Sequence, residues 1–344
     1  MMRVTLADLP LPPLERAGWP WTAETQALPA KRPDGSDWPL ITIVTPSYNQ
    51  GRFIEETIRS VLLQGYPNLE YMVIDGGSTD ETVAILECYD PFLTHWESRP
   101  DRGQSHAINK GLSRATGEIF QWINSDDVLL KGVLGAIGLA CDGSSAIAGG
   151  VEHRAADRTF VNRNASLTAG NVTLIWSRGK RRPSDAFLCD TPGIWLRTMP
   201  LRDVGGVPEH LNYIFDIGML ALYLERNPLV TYIERPIVFF RYHDQSKTIS
   251  QNSGFFDEYR LMLGFVLSRA RTRLIRRLAV ETIEFFAREA DLNEDIARFM
   301  NSKYHICDLL HVVFLSYKYR KIRSLRFFGG MLRNVYSSRY MRVG

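Results

Sequence analysis

The sequence lacks the features that mark several classes of protein. Its four cysteines, Cys88, Cys141, Cys189 and Cys307, are far apart and form no CxxC or Cys/His pattern, so neither a disulfide framework nor a zinc site is expected. The first residues contain no basic region followed by an apolar one, which argues against a secretory signal. No apolar run is long enough to cross a bilayer. These absences predict a cytoplasmic protein with reduced thiols.

The sequence also lacks a large overall charge, but the charge that it has is unevenly distributed. The net charge of the 344 residues is +3, and their 45% hydrophobic and 23% charged content suits one large domain with an appendage. Residues 301–344 contain nine Lys or Arg and a single acid, a net charge of +8, which leaves −5 on residues 1–300. No nucleic-acid recognition motif accompanies this basic segment, so a nucleic-acid partner is not expected.

Strand and helix signals alternate through the first third of the sequence. Helical periodicity separates four β-rich runs, which are LITIVTP at 40–46, EYMVIDGGS at 70–78, LTHWES at 93–98 and EIFQWIN at 118–124. A capping-box pattern from Ser78 to Glu81 predicts the start of the second helix. Repeated β-α units imply an α/β fold, a mostly parallel sheet covered by helices on both faces. Ligands bind such sheets at the carboxyl ends of the strands.

The fourth β-rich run ends abruptly in Asn124, Ser125, Asp126 and Asp127. Two adjacent carboxylates after an apolar run repel each other and resist burial, so a partner for their charge is expected. Mg²⁺ or Mn²⁺ would suit the pair, because these ions take one or two carboxylates and complete their shell with substrate phosphates. Alternatively, the two aspartates cap a helix beginning near Val128. The residues alone leave both interpretations open.

Three segments together resemble a bacterial family 2 glycosyltransferase with the GT-A fold. They are residues 38–83, residues 101–127 with INSDD at their end, and FRYHDQSKT at 240–248. Members of this family are inverting enzymes that use nucleotide-sugar donors. The resemblance therefore implies sugar transfer, with a UDP-sugar favoured and Mn²⁺ or Mg²⁺ as cofactor. It also divides the chain into a leader at 1–38, a GT-A domain at 39–250 and a helical, basic C-terminal region at 251–344.

The resemblance implies a set of donor-binding residues, matched one by one to the family's motifs. The first-strand motif lines the nucleotide pocket, Asp75 contacts the base or ribose, and a segment after residue 100 closes over the donor. Lys110, in that segment, could equally be a solvated helix residue. The implied donor contacts are Thr45, Pro46, Tyr48, Asn49, Asp75, Asp101, Gln104, Asn109, Lys110, Asn124 and Ser125.

The resemblance also implies the metal ligands. The stretch from Asn124 to Asp127 stands where the family has its Asp-any-Asp motif, with asparagine in place of the first aspartate. Either Asp126 or Asp127 is therefore the inner ligand. His243 matches a histidine that completes the metal shell or contacts the diphosphate, and imidazole is a reasonable ligand for Mn²⁺. A purely structural histidine is the alternative.

Inversion by direct displacement needs a general base on the acceptor side. Residues 204–227 resemble the family's acceptor-side region and put Asp216 at the position of the base, while Gly218 replaces a second acid that is common there. Asp216 could instead be an N-terminal helix charge. The possible substitutes as base are Asp190, Asp203 and Glu209.

The sequence makes broader predictions for the acceptor side and for the C-terminal segment. Residues 150–200, with Trp176, Trp195 and RGKRRP at 178–183, are expected to shape an acceptor groove. The basic C-terminal segment predicts a helix lying on the cytoplasmic face of the inner membrane. A helical subdomain packed on the catalytic domain is the alternative. The expected acceptor is a glycan or a polyprenyl-linked sugar in bacterial surface polysaccharide synthesis.

Two other protein classes compete with the transferase. A sugar-nucleotide pyrophosphorylase would carry a glycine-rich, basic phosphate loop after the first strand, but PSYNQG at 46–51 occupies that place. A non-catalytic binding or scaffold protein would tolerate a degenerate site, and Asn124 and Gly218 favour that interpretation. Slow hydrolysis of a donor without acceptor would distinguish an enzyme from a scaffold.

Overall fold

The computed structural model describes residues 3–154, 159–173, 189–243, 246 and 252–284, with the side chains of 252–257 left out. The chain divides into two compact units, residues 1–279 and 280–344. The sheet and the site described below belong to the first unit. The predicted basic segment at 301–344, Trp176 and the RGKRRP stretch all lie outside the described residues.

The described residues form one nine-stranded sheet with helices between the strands. The helices are α1 (Gly51–Leu62), α2 (Thr82–Tyr89), α3 (Gln104–Arg114), α4 (Val133–Ala140), α5 (Ala169–Thr173), α6 (Thr198–Asp203), α7 (Phe215–Arg226) and α8 (Asn252–Arg269), and a further helix begins at residue 273. The strands are β1 (Ile41–Ser47), β2 (Leu69–Asp75), β3 (His95–Ser98), β4 (Ile119–Trp122), β5 (Val128–Leu129), β6 (Ala146–Arg154), β7 (Thr159–Asn162), β8 (Ile194–Arg197) and β9 (Val230–Arg241).

The strand order is β3-β2-β1-β4-β8-β6-β9-β5, with β7 paired to β6. The first four strands in this order are parallel, and β8 joins β4 in the antiparallel direction. Every residue of β1 and β2 is buried, as expected for central parallel strands covered on both faces. The predicted α/β fold is confirmed, and the carboxyl ends of β1, β2 and β4 lie side by side.

Helices cover both faces of β1 because its residues alternate between the two faces. Ile41 and Ile43 belong to the core that includes Ile54 and Ile58 of α1. Val44 points the other way and meets α3 at Gly111, where an added Cβ would lie 2.4 Å from a Val44 methyl group. Only glycine lets α3 approach the sheet so closely.

The capping box predicted at the start of α2 is wrong. The Ser78 hydroxyl donates to Asp75 at 2.5 Å and caps no helix. The helix begins at Thr82, whose N–H donates to the Asp80 carboxylate at 3.0 Å. The buried Asp75 carboxylate binds the Ser78 hydroxyl, which is then not available to cap the helix. A buried charge needs strong hydrogen-bond donors.

The N-terminal segment is fastened to α1 by a fully buried arginine. The Arg59 guanidinium donates to the carbonyls of Pro10 at 2.9 Å and Trp21 at 3.2 Å, and to the Tyr89 hydroxyl at 2.9 Å. It also lies 5.3 Å from the centre of the Trp21 ring. A buried charge with this many partners contributes to stability only while all of them are present.

We expect Arg59→Met to lower the free energy of unfolding by about 3 kcal/mol, since four acceptors, including the Pro20 carbonyl at 3.3 Å, lose their donor. Urea denaturation measures this loss. Arg52→Met is the matched control, because Arg52 is exposed on the same helix. Equal effects of the two substitutions would contradict the assigned role of Arg59.

Two further predictions concern Trp195 and contact with a membrane. Trp195, expected in an acceptor groove, is fully buried in the core, so that expectation is wrong for this residue. Of the described helices, none is both long and apolar enough to span a membrane. The predicted contact of the C-terminal segment with a membrane surface stays a prediction.

Candidate functional site

The carboxyl end of β1 contributes an exposed aromatic residue and a polar one. Thr45 and Pro46 are buried within the strand, and the Thr45 hydroxyl lies 3.0 Å from that of Tyr71. Tyr48 is 61% exposed just beyond the strand, and Asn49 follows with a left-handed φ of 51°. Of the four residues predicted from the first-strand motif, Tyr48 and Asn49 have side chains near the surface at the strand end.

Asp75, at the end of β2, organises the loop that follows it. Its two carboxylate oxygens accept the N–H groups of Gly77 at 3.1 Å and Ser78 at 2.8 Å, as well as the hydroxyls of Ser78 and Ser98. The side chain is fully buried, and these donors occupy it. Asp75 therefore shapes the loop beside β1, and its predicted contact with a nucleotide stays a prediction.

Asn49 ties the end of β1 to the same loop. Its N–H donates to the Ser78 hydroxyl at 2.7 Å, and its side-chain oxygen accepts the N–H of Thr79 at 2.9 Å. The two strand ends are therefore joined by hydrogen bonds as well as by the sheet. A ligand at this edge would meet one preformed surface.

The start of α3 reaches the end of β4. Asp101 accepts the N–H of Gly103 at 2.7 Å and stabilises the turn before the helix. Gln104, the first residue of α3, donates to the side-chain oxygen of Asn124 at 2.8 Å. The structure thus brings Gln104 into contact with Asn124 and places Asp101 beside Gly76, just beyond β2, and the predicted contacts of these residues with a donor stay predictions.

Two predicted donor residues on α3 hold other groups. Asn109 donates to the Val207 carbonyl at 2.8 Å and to Glu209 at 3.0 Å, while its oxygen accepts the Val207 N–H at 2.9 Å. Lys110 forms an ion pair with Glu97 at 2.9 Å. Both side chains are engaged by other groups of the protein, Lys110 at the end of β3, and their predicted contacts with a donor stay predictions.

The two adjacent carboxylates have different surroundings. Asp127 is fully buried, and its oxygens accept the Asn124 amide at 3.0 Å and the Arg241 N–H at 3.4 Å. Burial, with the neighbouring charge of Asp126, raises the pKa of the Asp127 carboxyl well above its usual value. Ser125 is buried too, and its carbonyl accepts the Thr57 hydroxyl at 2.9 Å. The Asp127 carboxylate is therefore buried and engaged by groups of the protein, while the Asp126 side chain keeps some exposure.

Asp126 keeps about a fifth of its side chain exposed and meets His243. Its carboxylate oxygen lies 2.8 Å from His243 Nε2, although 117 residues separate the two in sequence. His243 is held beside Phe53, with 4.5 Å between the ring centres, and its Nδ1 has no partner among the described residues. The residues far apart in sequence that were predicted as metal ligands are thus brought into contact.

The Asp126–His243 pair fits a divalent cation as a donor set. One carboxylate oxygen and one imidazole nitrogen suit Mn²⁺, and phosphate oxygens and water would complete the shell. No group of three or more His, Cys, Asp or Glu with metal-binding geometry occurs among the described residues. The protein would therefore supply two ligands, and a substrate would supply others.

Asp216 lies in the first turn of α7, close to the end of β4. Its carboxylate accepts the Thr191 hydroxyl at 2.6 Å and the Ile217 N–H at 2.8 Å. Gln121, in β4, donates to the Thr191 carbonyl at 3.0 Å and so connects this cluster to the strand that leads to Asn124. Burial raises the pKa of the Asp216 carboxyl, and the Thr191 hydrogen bond opposes part of that rise.

Gly218, where a second acid is common in the family, has a packing reason. An added Cβ there would lie 3.0 Å from Met262 of α8, so the close contact of α7 with α8 leaves little room for a side chain. The small residue at this position is explained by helix packing. It is no evidence that the site has degenerated.

The three possible substitutes for Asp216 have different positions. Asp203 is exposed at the end of α6, and Glu209 is paired with Arg102 at 2.5 Å. Asp190 lies near Asp216, since its charge adds to the elevation of the Asp216 pKa. It is itself held by His153 at 2.7 Å. Among these four acids, Asp216 is the one that lies in the first turn of a helix beside β4.

The structure adds a residue that the sequence gave no signal for, Glu258 on α8. Its buried carboxylate accepts the N–H groups of Asn212 and Tyr213, each at 2.7 Å. These N–H groups precede α7, whose own N-cap residue, Ile214, offers no side-chain hydrogen bond. Glu258 therefore caps the helix that carries Asp216, although it lies 46 residues after Asn212 in the sequence.

We expect Glu258→Ala to lower the free energy of unfolding by about 1–2 kcal/mol, since a helix cap is lost. We also expect kcat for sugar transfer to fall by roughly 10- to 100-fold, because Asp216 would be displaced. Thermal unfolding and steady-state kinetics measure the two effects. Glu258→Gln keeps one acceptor oxygen and should recover most of kcat. A Glu258→Ala variant with unchanged kcat would contradict this role.

Comparisons with known proteins agree with the architecture. Residues 42–204 match the family model described as glycosyl transferase family 2. The putative teichuronic acid biosynthesis glycosyltransferase TuaG of Bacillus subtilis is 38% identical over 98 residues, which are 27% of this chain and 38% of TuaG. An uncharacterized glycosyltransferase of Mycobacterium tuberculosis is 37% identical over 90 residues, 26% of this chain and 34% of that protein. The chain thus matches little more than a third of the length of these curated relatives.

A solved structure shares the fold over most of the described domain. Staphylococcus aureus TarS 1–349 in complex with UDP-GlcNAc superposes with a TM-score of 0.56 at 19% identity, covering 70% of this chain and 71% of that one. At this identity the likeness shows the fold alone. The sheet and its flanking helices are those of a GT-A protein.

Proposed function

The chain belongs to glycosyl transferase family 2 through residues 42–204, and from that premise we propose that it transfers a sugar from a nucleoside-diphosphate sugar to a glycan or polyprenyl-linked acceptor. The observation that carries the proposal is the contact of Asp126 with His243 beside Asn124. A UDP-sugar is the favoured donor, consistent with the UDP-GlcNAc bound by TarS. The name of TuaG supports a role in surface polysaccharide synthesis.

The donor would lie across the carboxyl ends of β1, β2 and β4. Tyr48 is exposed there and offers a ring for the base, while the loop organised by Asp75 borders the same edge. Gln104 and Asn124, already hydrogen-bonded to each other, present amide groups at the position expected for the sugar and ribose. These residues bind and orient the donor.

Asp126 and His243 would hold a divalent cation, Mn²⁺ or Mg²⁺. When bound, such an ion neutralises charge that develops on the leaving diphosphate. The burial of Asp127 leaves a single exposed carboxylate in this stretch, so Asp126 is the proposed inner ligand. Asp127 orients Asn124 through its amide.

Asp216 would act as general base. Its raised pKa makes it a stronger base than an exposed carboxylate, and the Thr191 hydroxyl fixes the orientation of one oxygen. The carboxylate takes the proton of an acceptor hydroxyl as that oxygen bonds to the anomeric carbon. The bond from that carbon to the diphosphate oxygen breaks on the opposite face, and its electrons leave with the nucleoside diphosphate. The product therefore has the inverted configuration.

Donor hydrolysis observed by NMR tests the proposal without knowledge of the acceptor. The purified protein is incubated with UDP-glucose, UDP-galactose and UDP-GlcNAc in the presence of Mg²⁺. The proposal expects slow release of UDP from at least one donor, with the β-anomer of the free sugar appearing first. The α-anomer appearing first would contradict inversion. Absence of UDP release from all donors would favour a scaffold protein.

A further inference from the structure

A row of aromatic rings surrounds His153 on one face of the sheet. His153, in β6, is paired across the sheet with Phe160 of β7 and Phe240 of β9. Its ring is stacked on Phe160, with 4.6 Å between centres and an angle of 3°, and lies 5.3 Å from Phe240. Tyr242 adds a fourth ring, 5.7 Å from His153. Phe160 is 37% exposed, so this aromatic row reaches the surface.

Asp190 lies beside this aromatic row, and hydrogen bonds hold both its side chain and its backbone. Its Oδ2 lies 2.7 Å from His153 Nε2 and accepts the Asn162 amide at 2.7 Å. Its backbone N–H and carbonyl are both bound by the side chain of Asn164, at 2.8 and 2.9 Å. Four hydrogen bonds with three residues thus hold Asp190, two at its carboxylate and two at its backbone. Its second oxygen, Oδ1, accepts no hydrogen bond from the described residues.

His153 itself contains an unsatisfied polar atom. Its side chain is only 7% exposed, and Nδ1 has no hydrogen-bond partner among the described residues. A buried polar atom without a partner is costly, so such an atom in a native structure calls for an explanation. Because Nδ1 is buried, a ligand at the surface would be recognised by Asp190 and not by this atom.

The same cluster is continuous with the proposed catalytic base. Asp190 is followed directly by Thr191, whose hydroxyl donates to Asp216 at 2.6 Å. A ligand on the aromatic row that reaches Asp190 Oδ1 would therefore lie next to Asp216. The acceptor of a sugar transfer has to occupy this side of the base, because its hydroxyl must reach the base and the anomeric carbon together.

We propose that Asp190 and the aromatic row of Phe160, His153, Phe240 and Tyr242 form the subsite for the acceptor's terminal pyranose ring. The rings of Phe160, Phe240 and Tyr242 contact the C–H face of the sugar, and Asp190 Oδ1 accepts a hydrogen bond from a hydroxyl adjacent to the one that reacts. Asp190 is then an acceptor-binding residue, and His153, Asn162 and Asn164 are positioning residues. This inference rests on the proposed function.

The chemistry of the cluster favours a sugar over other ligands. A pyranose presents hydroxyl groups at its rim and an apolar C–H face, which matches a fixed carboxylate beside aromatic rings. Because the Asp190 carboxylate is an anion, it would repel a phosphate. The subsite therefore accepts the sugar end of a lipid-linked acceptor and excludes its phosphate end.

Saturation-transfer NMR with simple glycosides tests the subsite in the full chain. The protein, with UDP and Mg²⁺, is irradiated in the aromatic region in the presence of the methyl glycosides of glucose, galactose, mannose, rhamnose and N-acetylglucosamine. We expect transfer to the ring C–H protons of at least one glycoside. Asp190→Ala should weaken its binding by about tenfold or more, the effect of losing a hydrogen bond to a charged group. Asp203→Ala, at an exposed aspartate, should leave it unchanged.

Calorimetric titration of UDP, GDP and dTDP on the same samples separates the possible failures. If wild type binds UDP but no glycoside receives saturation, the acceptor subsite is refuted and the donor site stands. If wild type binds none of UDP, GDP and dTDP, the proposed function fails and this inference with it. If Asp190→Ala no longer binds UDP, the isosteric Asp190→Asn replaces it. Wild-type glycoside affinity in a UDP-binding variant of Asp190 overturns the proposal.

Discussion

Asp216→Asn is expected to lower kcat for sugar transfer by about 10²- to 10⁴-fold, the usual contribution of a general base. The asparagine can still accept the Thr191 hydrogen bond and keep the start of α7 in place. It cannot take a proton from the acceptor. Because the donor lies at the strand ends, the Kd for UDP should change by less than about twofold, a difference well below 1 kcal/mol.

Asp203→Asn provides the matched control for this loss, since Asp203 is exposed and was an alternative base. Steady-state kinetics with the preferred UDP-sugar and UDP titration measure the two quantities. Equal kcat values for Asp216→Asn and wild type would remove Asp216 from the reaction. A fall in kcat for Asp203→Asn of the same size would move the base to α6.

The pH dependence of the wild type follows from the surroundings of Asp216. Burial raises the pKa of this carboxyl, and the nearby charge of Asp190 adds to the rise. A base must be ionised to act, so kcat/KM should decline as the pH falls through this raised pKa. The acidic limb should therefore lie above the value of about 3.9 typical of an exposed aspartate. In Asp216→Asn this limb should be absent from the residual activity.

Asp126→Ala is expected to abolish most metal-dependent activity. Loss of an inner carboxylate ligand removes several kcal/mol of stabilisation from the leaving group, which corresponds to roughly 10²- to 10³-fold in kcat/KM. His243→Ala should act in the same direction, because Nε2 lies 2.8 Å from the Asp126 carboxylate. Donor hydrolysis measured against Mn²⁺ concentration gives both the activity and the apparent affinity for the ion.

Asp127→Asn is the decisive control for this assignment. Asp127 is buried and contacts Asn124 and the Arg241 N–H, so its substitution should reduce stability while the response to Mn²⁺ remains. The reverse result, with Asp126→Ala still activated by Mn²⁺ and Asp127→Asn not, would exchange the roles of the two aspartates.

The sheet could be predicted from the sequence, and a site proposed at one of its edges, because both inferences depend on local patterns. Strand and helix periodicities gave β1 to β4 with their helices, and the rule for parallel sheets placed the functional edge at their carboxyl ends. The roles of the adjacent Asp126 and Asp127 could not be distinguished from these local patterns. Their roles depend on burial by Thr57 and Arg241, which approach from α1 and β9.

Features that depend on contacts between distant segments were missed or misassigned. Ser78 fits a capping box in sequence, but in three dimensions the Asp75 carboxylate is the stronger acceptor for its hydroxyl. Glu258 carries no local signal, because its partners lie in the distant segment that precedes α7. The contact between Asp190 and His153 also joins β6 to the segment before β8, and the spacing of the two residues in sequence gives no sign of it.

The central claim is that the carboxylate left exposed after β4 holds a cation that in turn binds a nucleoside diphosphate. Calorimetric titration of UDP into the wild-type protein, with Mn²⁺ and then with EDTA, tests this claim directly. We expect binding of UDP that requires the metal and that is lost in Asp126→Ala but kept in Asp127→Asn. Failure of the wild type to bind UDP, GDP or dTDP in either condition would contradict it.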